Sequence, residues 1–166
     1  MKGGPNSIGQ LRRCVETFLG AADLLKEQYP GQAAARAHYA VYAATDYIGR
    51  LYGPPVWDTD PSTGKWQNRL HHTRVPDIVS AVCEFQIARG QVVIPHLTPN
   101  AAYSKADNLL KARMDGDYRP HRAFSKEVAA QLIMSAYTLT KMLIAEAEFV
   151  ENARKQGQAP QKGTAS

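Results

Sequence analysis

One polar stretch of the chain holds the residue types that phosphate and proton-transfer chemistry need. Residues 111–122 read KARMDGDYRPHR and lie between two segments with helical periodicity. Histidine titrates near neutral pH and can move a proton, whereas arginine stays charged and holds a phosphate through two N–H groups. The stretch holds His121 and the arginines Arg113, Arg119 and Arg122, so its residue types make it a candidate catalytic and RNA-binding corner.

The same stretch also fits a purely structural interpretation. A cation such as Arg113 is favourable near a helix C-terminus because it interacts with the helix dipole. Asp117 can pair with Arg113 or cap a backbone turn, and the ring of Tyr118 can pack on a helix bundle. Both interpretations follow from the residue types.

Other recognisable sites are missing from the sequence. It contains neither of the glycine-rich phosphate loops GxGxxG and GxxxxGK[ST], nor GxSxG, nor HExxH. His71 and His72 are adjacent, so on a helix they point about 100° apart and make a poor metal pair. We expect them to cap or pack at the start of a helix, and we expect no metal and no cofactor. Arg89 and His96 form a second arginine–histidine pair, which we rank below Arg113 and His121.

Helical periodicity dominates the chain and predicts an all-α, up-and-down bundle of four to five helices. Ser7 and Gln10 have capping-box spacing, and Asn100 and Ser125 are further predicted N-caps. The predicted helices begin near Ile8 and then cover about Gln32–Tyr52, Arg74–Ala88, Ala101–Met114 and Lys126–Glu151.

The composition indicates one soluble domain over residues 1–150 and a disordered tail over 151–166. Residues 53–70 read as a loop whose Trp57 and Trp66 either fold back on the core or form a contact surface. The net charge of +5 favours anionic partners such as nucleic acid. Cys14 and Cys83 read as free thiols of a reducing cytosol. No signal peptide or membrane-length stretch is evident, which favours a cytoplasmic protein without a membrane partner.

Three segments, in order, resemble the small stand-alone HEPN proteins of prokaryotes. A tyrosine-rich helix carries Tyr39 and Tyr42, and a histidine, His71 or His72, precedes a Val/Ile-rich helix. An arginine is then followed by a small residue, Asp and Tyr at a helix end, before a long last helix that begins Ser-x-Glu. The segments are AARAHYAVYAATDYIGRLYG (34–53), HHTRVPDIV (71–79) and LLKARMDGDYRPHRAFSKEVAAQLIMSAYTLTKML (109–143).

The resemblance implies a helical bundle that commonly forms a homodimer, with one of two roles. Many HEPN proteins are metal-independent ribonucleases, often toxins or phage-defence effectors paired with a nucleotidyltransferase-type antitoxin. Others are catalytically silent modules that bind a nucleotide or a partner protein. In the active members, four to six residues separate Arg from His.

In this chain seven residues separate Arg113 from His121, and Tyr118 stands where the histidine of a short-spaced motif would fall. Tyrosine, with a pKa near 10, is a poor base at neutral pH. The resemblance makes Arg113 and His121 the catalytic candidates, and the stretch offers Asp117, Tyr118, Arg119 and Arg122 for substrate binding. A ribonuclease acting on RNA and a silent binding module both stay open.

Overall fold

The computed structural model of the protein describes residues 4–52, 70–118 and 124–157, which fold into five α-helices. No strand occurs within these ranges, and the all-α bundle predicted from the sequence is confirmed. Of the predicted features, Trp57, Trp66, Arg119, His121 and Arg122 lie outside the described residues. The helices are α1 (Ile8–Leu25), α2 (Pro30–Tyr52), α3 (Val75–Ala88), α4 (Pro99–Tyr118) and α5 (Lys126–Lys155), with a 3-10 turn at His72–Arg74 before α3.

Serine side chains begin the first and last helices, as predicted. Ser7 Oγ accepts a hydrogen bond from the Gln10 N–H at 3.3 Å, and Ser125 Oγ accepts one from the Val128 N–H at 3.2 Å. The side chain of Gln10 turns back to accept from the N–H of Asn6, one residue before the position that a strict capping box would use. Each cap satisfies a backbone N–H that has no partner inside its helix.

Helix α4 differs from its prediction at both ends. Thr98, rather than Asn100, caps its start, because the Thr98 hydroxyl accepts from the Ala101 N–H at 3.2 Å. At the other end the helix continues from Met114 to Tyr118, so Asp117 is helical and not part of a loop. The predicted helix ended at Met114, two residues before Gly116, and glycine is a poor helix former.

A close approach of two helices explains the helical Gly116. A Cβ atom built at Gly116 would lie 2.3 Å from the backbone oxygen of Gly31, in the first turn of α2. Only glycine lets the two backbones come this close. The contact joins the end of α4 to the start of α2 and so fixes the last turn of α4 against the bundle.

Helix α2 lies at the centre of the core and packs against α1, α4 and α5. Small side chains on its buried face let these neighbours approach closely. The fully buried alanines of this face are Ala33, Ala34, Ala37, Ala40 and Ala44.

Helix α5 runs to Lys155, four residues beyond its predicted end, so the predicted tail begins in helix, and residues 158–166 lie outside the described ranges. By length and composition α5 is the one described helix that could cross a membrane, which corrects the expectation that no stretch approaches that length. A soluble protein's core helix passes the same test. One face of α5, including Leu139 and Leu143, is buried in the bundle.

Candidate functional site

Two histidines from distant parts of the chain meet at one side of α2. His38 lies in α2, and His72 is the first residue of the 3-10 turn before α3. His38 Nε2 and His72 Nδ1 are 2.9 Å apart, a hydrogen-bond distance, and the ring centroids are 5.2 Å apart. His38 is fully buried and His72 is half-buried. The pair therefore runs from the core to the surface.

Tyrosines of α2 hold the His72 ring in place. The Tyr42 hydroxyl donates a hydrogen bond of 2.8 Å to the backbone oxygen of Leu70, two residues before His72. The Tyr42 ring stacks on the His72 ring with centroids 4.1 Å apart and an interplanar angle of 23°. Tyr39 meets the same imidazole edge-on, at 5.9 Å and 82°. The position and plane of His72 are thus set by α2.

Arg113 reaches the same place from α4. Its Nε donates to Asp117 Oδ2 at 3.1 Å, and its Nη2 donates to the Tyr39 hydroxyl at 3.4 Å. The Tyr39 hydroxyl in turn donates to Asp117 Oδ2 at 3.2 Å. Only 15% of the Arg113 side chain is exposed, and its guanidinium carbon is 5.7 Å from the Tyr39 ring centroid. The i, i+4 spacing of Arg113 and Asp117 on a continuous helix produces this ion pair.

We call His38, Tyr39, His72, Arg113 and Asp117 the polar corner. The pKa of His38 is lowered to about 3, chiefly by burial and in smaller part by electrostatic interaction with His72 and Arg113. Burial also lowers the pKa of His72 to about 4; Arg113 and His71 act in the same direction, and Asp117 opposes them. Both imidazoles are therefore neutral at neutral pH.

The structure brings together some of the predicted site residues. Arg113 and Asp117 are paired in the polar corner, with Tyr39 between them and His72. Tyr118 is the last residue of α4. The packing role predicted for the histidines before α3 fits His72, whereas His71 hydrogen bonds through Nδ1 to the Thr73 hydroxyl at 2.7 Å.

His38 belongs to the polar corner but was missed in the sequence. The available signal was its position, because His38, Val41, Thr45 and Ile48 step by three, four and three residues and are all fully buried. A histidine at a core position of a helix needs a polar partner. The partner, His72, is 34 residues away, and nothing in the local sequence indicates it.

The second arginine–histidine pair predicted from the sequence is Arg89 and His96, at the end of α3 and in the segment after it. Arg89 directly follows α3; its Nη2 bonds the buried carboxylate of Glu146 at 2.5 Å, and its guanidinium carbon lies 4.3 Å from the Phe149 ring centroid. His96 is exposed and has a positive φ of 65°. Arg89 therefore has a structural role, joining α3 to α5.

The polar corner combines a held cation with a neutral imidazole, which suits the recognition of a phosphate oxygen. Within the described ranges, no group of three or more His, Cys, Asp or Glu side chains is placed to hold a metal ion. Comparison with family models, with curated proteins and with solved structures finds no match. Membership of the HEPN family stays a prediction from the sequence motifs.

Proposed function

We propose that this chain is a HEPN-like protein that binds the phosphate of a ribonucleotide or of RNA at the polar corner. One observation carries the proposal: the Arg113 guanidinium and the His72 imidazole both contact the ring of Tyr39. The Arg113 cation and the neutral His72 imidazole, which can donate an N–H, thus lie against the same tyrosine ring. The net charge of +5 supports an anionic ligand.

The hydrogen bonds of the polar corner support binding, because they orient its donors in advance. Asp117 and the Tyr39 hydroxyl fix the guanidinium plane of Arg113, and the stack on Tyr42 fixes the plane of His72. Oriented donors recognise an anion at a smaller ordering cost than mobile ones. As parts of the same proposal, the protein is a cytoplasmic homodimer and has a nucleotidyltransferase-type partner.

A metal-independent ribonuclease is the second candidate function. Cleavage of RNA through its own 2′-hydroxyl needs a proton acceptor, a proton donor and a cation for the charge on phosphorus. It is supported by the held Arg113 cation of the polar corner and by the sequence, in which seven residues separate Arg113 from His121. In this proposal Arg113 stabilises the phosphorane charge, His121 transfers the proton, and Arg119 and Arg122 hold flanking phosphates.

Binding is tested by fluorescence anisotropy with a labelled single-stranded RNA and with nucleotide competitors. We expect Arg113→Gln to lower affinity by about tenfold or more, as the loss of a charge-assisted hydrogen bond does. Arg12→Gln is the matched control, because Arg12 also pairs with a carboxylate, that of Glu148, but lies on α1. An equal loss in both variants would mean that only net charge matters and would contradict the proposed site.

Cleavage is tested on the same RNA with EDTA present. Products that end in a 2′,3′-cyclic phosphate and disappear in both Arg113→Ala and His121→Ala would establish the ribonuclease. Binding without cleavage, by a folded wild-type protein, would leave the binding module as the function.

A further inference from the structure

His38 carries a buried polar atom without a partner. The residue is fully buried, and its Nδ1 makes no hydrogen bond with any described residue. Its other nitrogen, Nε2, is the one that bonds His72 Nδ1 at 2.9 Å. Buried polar atoms in folded proteins are nearly always paired, so an unpaired one has to be explained.

Because both rings are neutral, each carries one proton, and the bond between them admits two arrangements. In the first, His38 Nε2–H donates to His72 Nδ1, so His38 Nδ1 is a bare lone pair and His72 carries its proton on Nε2. In the second, His72 Nδ1–H donates to His38 Nε2, so a buried N–H at His38 Nδ1 has no acceptor.

The two arrangements differ in cost. Orphaned N–H donors are rarer in protein interiors than under-satisfied acceptors. The unpaired atom of His38 is therefore better explained as a lone pair than as an N–H. This choice decides what His72 presents at its second nitrogen, which makes no hydrogen bond with a described residue.

We propose that His38 is a positioning residue that fixes the tautomer of His72. His38 Nε2–H donates to His72 Nδ1, and His72 consequently presents an N–H at Nε2, on a ring that shares its contact with Tyr39 with the Arg113 guanidinium. The polar corner is then a set of hydrogen-bond donors for an anionic oxygen, and His72 acts as a donor and not as a base. The part of this inference that concerns the ligand rests on the proposed function; the tautomer does not.

The surroundings of the pair support this arrangement. Stacking on Tyr42 keeps the His72 ring in one plane, so Nδ1 stays directed at His38 and Nε2 stays directed away from it. The low pKa of His72 keeps the ring neutral, so that its tautomer is defined throughout the neutral range.

The tautomers are measured directly by long-range ¹H–¹⁵N correlation spectra of the uniformly ¹⁵N-labelled wild-type protein at pH 7. We expect a protonated Nε2 and an unprotonated Nδ1 in both His38 and His72. A spectrum with the proton of either ring on Nδ1 would overturn the proposal. This result does not depend on any ligand.

Two substitutions then separate positioning from packing. The amide of His38→Gln places an N–H donor near the position of Nε2, whereas His38→Met fills similar space without a donor. We expect His72 in His38→Gln to keep the Nε2–H tautomer and His72 in His38→Met to show a mixture of tautomers. The same tautomer of His72 in wild type and in His38→Met would overturn the positioning role.

RNA binding links the tautomer to the ligand. With the labelled RNA used above, we expect His38→Met to bind several-fold more weakly than His38→Gln, at equal helix content by circular dichroism. Equal affinity of the two variants would overturn the role of the His72 N–H in recognition. A wild type that binds neither RNA nor inorganic phosphate, but shows the expected spectrum, would reject the proposed function and keep the tautomer.

Discussion

His38 and His72 are joined by a hydrogen bond of 2.9 Å between Nε2 of the first and Nδ1 of the second, although 34 positions separate them in the chain. The bond connects a fully buried residue of α2 to the turn that precedes α3. The same turn brings the His72 ring to Tyr39, whose ring Arg113 also contacts, so the histidine pair connects the buried part of the polar corner to its partly exposed part.

The buried histidines make stability depend on pH. Their pKa values in the folded protein are about 3 for His38 and about 4 for His72, below the ordinary value of 6.5. Above pH 6.5 both are neutral in either state and folding is not penalised. As the pH falls below 6.5 the unfolded chain binds protons that the folded chain does not, so the free energy of unfolding falls by up to about 1.4 kcal/mol per pH unit for each such histidine.

Urea unfolding between pH 7 and pH 4.5 measures this slope. His38→Gln removes one of the two titrating groups and should reduce the slope, whereas His96→Gln, at an exposed histidine, is the matched control and should leave it unchanged. An identical slope in wild type and in His38→Gln would contradict the burial of a neutral His38.

The Tyr39 hydroxyl should matter more for binding than for folding. Tyr39→Phe keeps the ring contacts with His72 and Arg113 but removes the hydrogen bonds to Asp117 and Arg113. We expect the free energy of unfolding to fall by about 1 kcal/mol. We also expect weaker RNA binding, because Arg113 loses the hydrogen bond to the Tyr39 hydroxyl that orients its guanidinium. Tyr103→Phe, at an exposed tyrosine of α4, is the control for both measurements. Unchanged RNA affinity in Tyr39→Phe would show that the hydroxyl does not orient a binding group.

Two glycine substitutions should have opposite effects on stability. Gly116→Ala would place a Cβ 2.3 Å from the Gly31 backbone oxygen, so the two helices would have to separate. We expect a loss of about 2 kcal/mol or more, in the range of other overpacking substitutions, although alanine is the better helix former. Gly20→Ala, in the middle of α1, meets no atom within 4 Å and should stabilise the protein by about 0.5–1 kcal/mol. Thermal and urea unfolding of both variants measure the difference; stabilisation by Gly116→Ala would contradict the close helix crossing.

The buried carboxylate of Glu146 should be more important than any surface ion pair. Glu146 is 1% exposed, bonds Arg89 at 2.5 Å, and accepts hydrogen bonds from Gln86 and the Tyr52 hydroxyl. Glu146→Gln leaves Arg89 without its counter-charge, so we expect a loss of about 3 kcal/mol.

The matched control for Glu146 is Glu148→Gln, in the same helix. Glu148 pairs with Arg12 at the surface, and removal of its charge should cost less than about 1 kcal/mol. If urea unfolding gives similar losses for the two variants, the buried network does not have the energetic role that its geometry indicates.

The sequence predicted the helices well because their apolar periodicity is strong. The serine caps of α1 and α5 were correct since N-capping depends only on local residues. The predicted end of α4 at Met114 was wrong, because the helix continues through Gly116 to Tyr118. The low helix propensity of glycine is overridden there by the tertiary contact with Gly31. That contact joins residues far apart in the chain, and no local pattern contains it.

The candidate site was predicted only in part. Arg113 and Asp117 were singled out by their residue types and by the motif that resembles HEPN proteins, and their pairing was one of the interpretations left open. Their connection to His72 depends on Tyr39 and on how α2 packs against α4, which periodicity does not specify. His38 was missed because its polar role depends on a partner from another segment, whereas its position alone suggested only core packing.

The tethering of Arg113 also has a thermodynamic consequence. A mobile arginine loses up to about 2 kcal/mol of rotational freedom when a ligand immobilises it. In this protein Asp117 and Tyr39 already restrict the side chain, of which 15% is exposed, so that loss occurs during folding. Calorimetry of ligand binding should therefore show a smaller entropic penalty in the wild type than in Tyr39→Phe, where the guanidinium regains part of its motion.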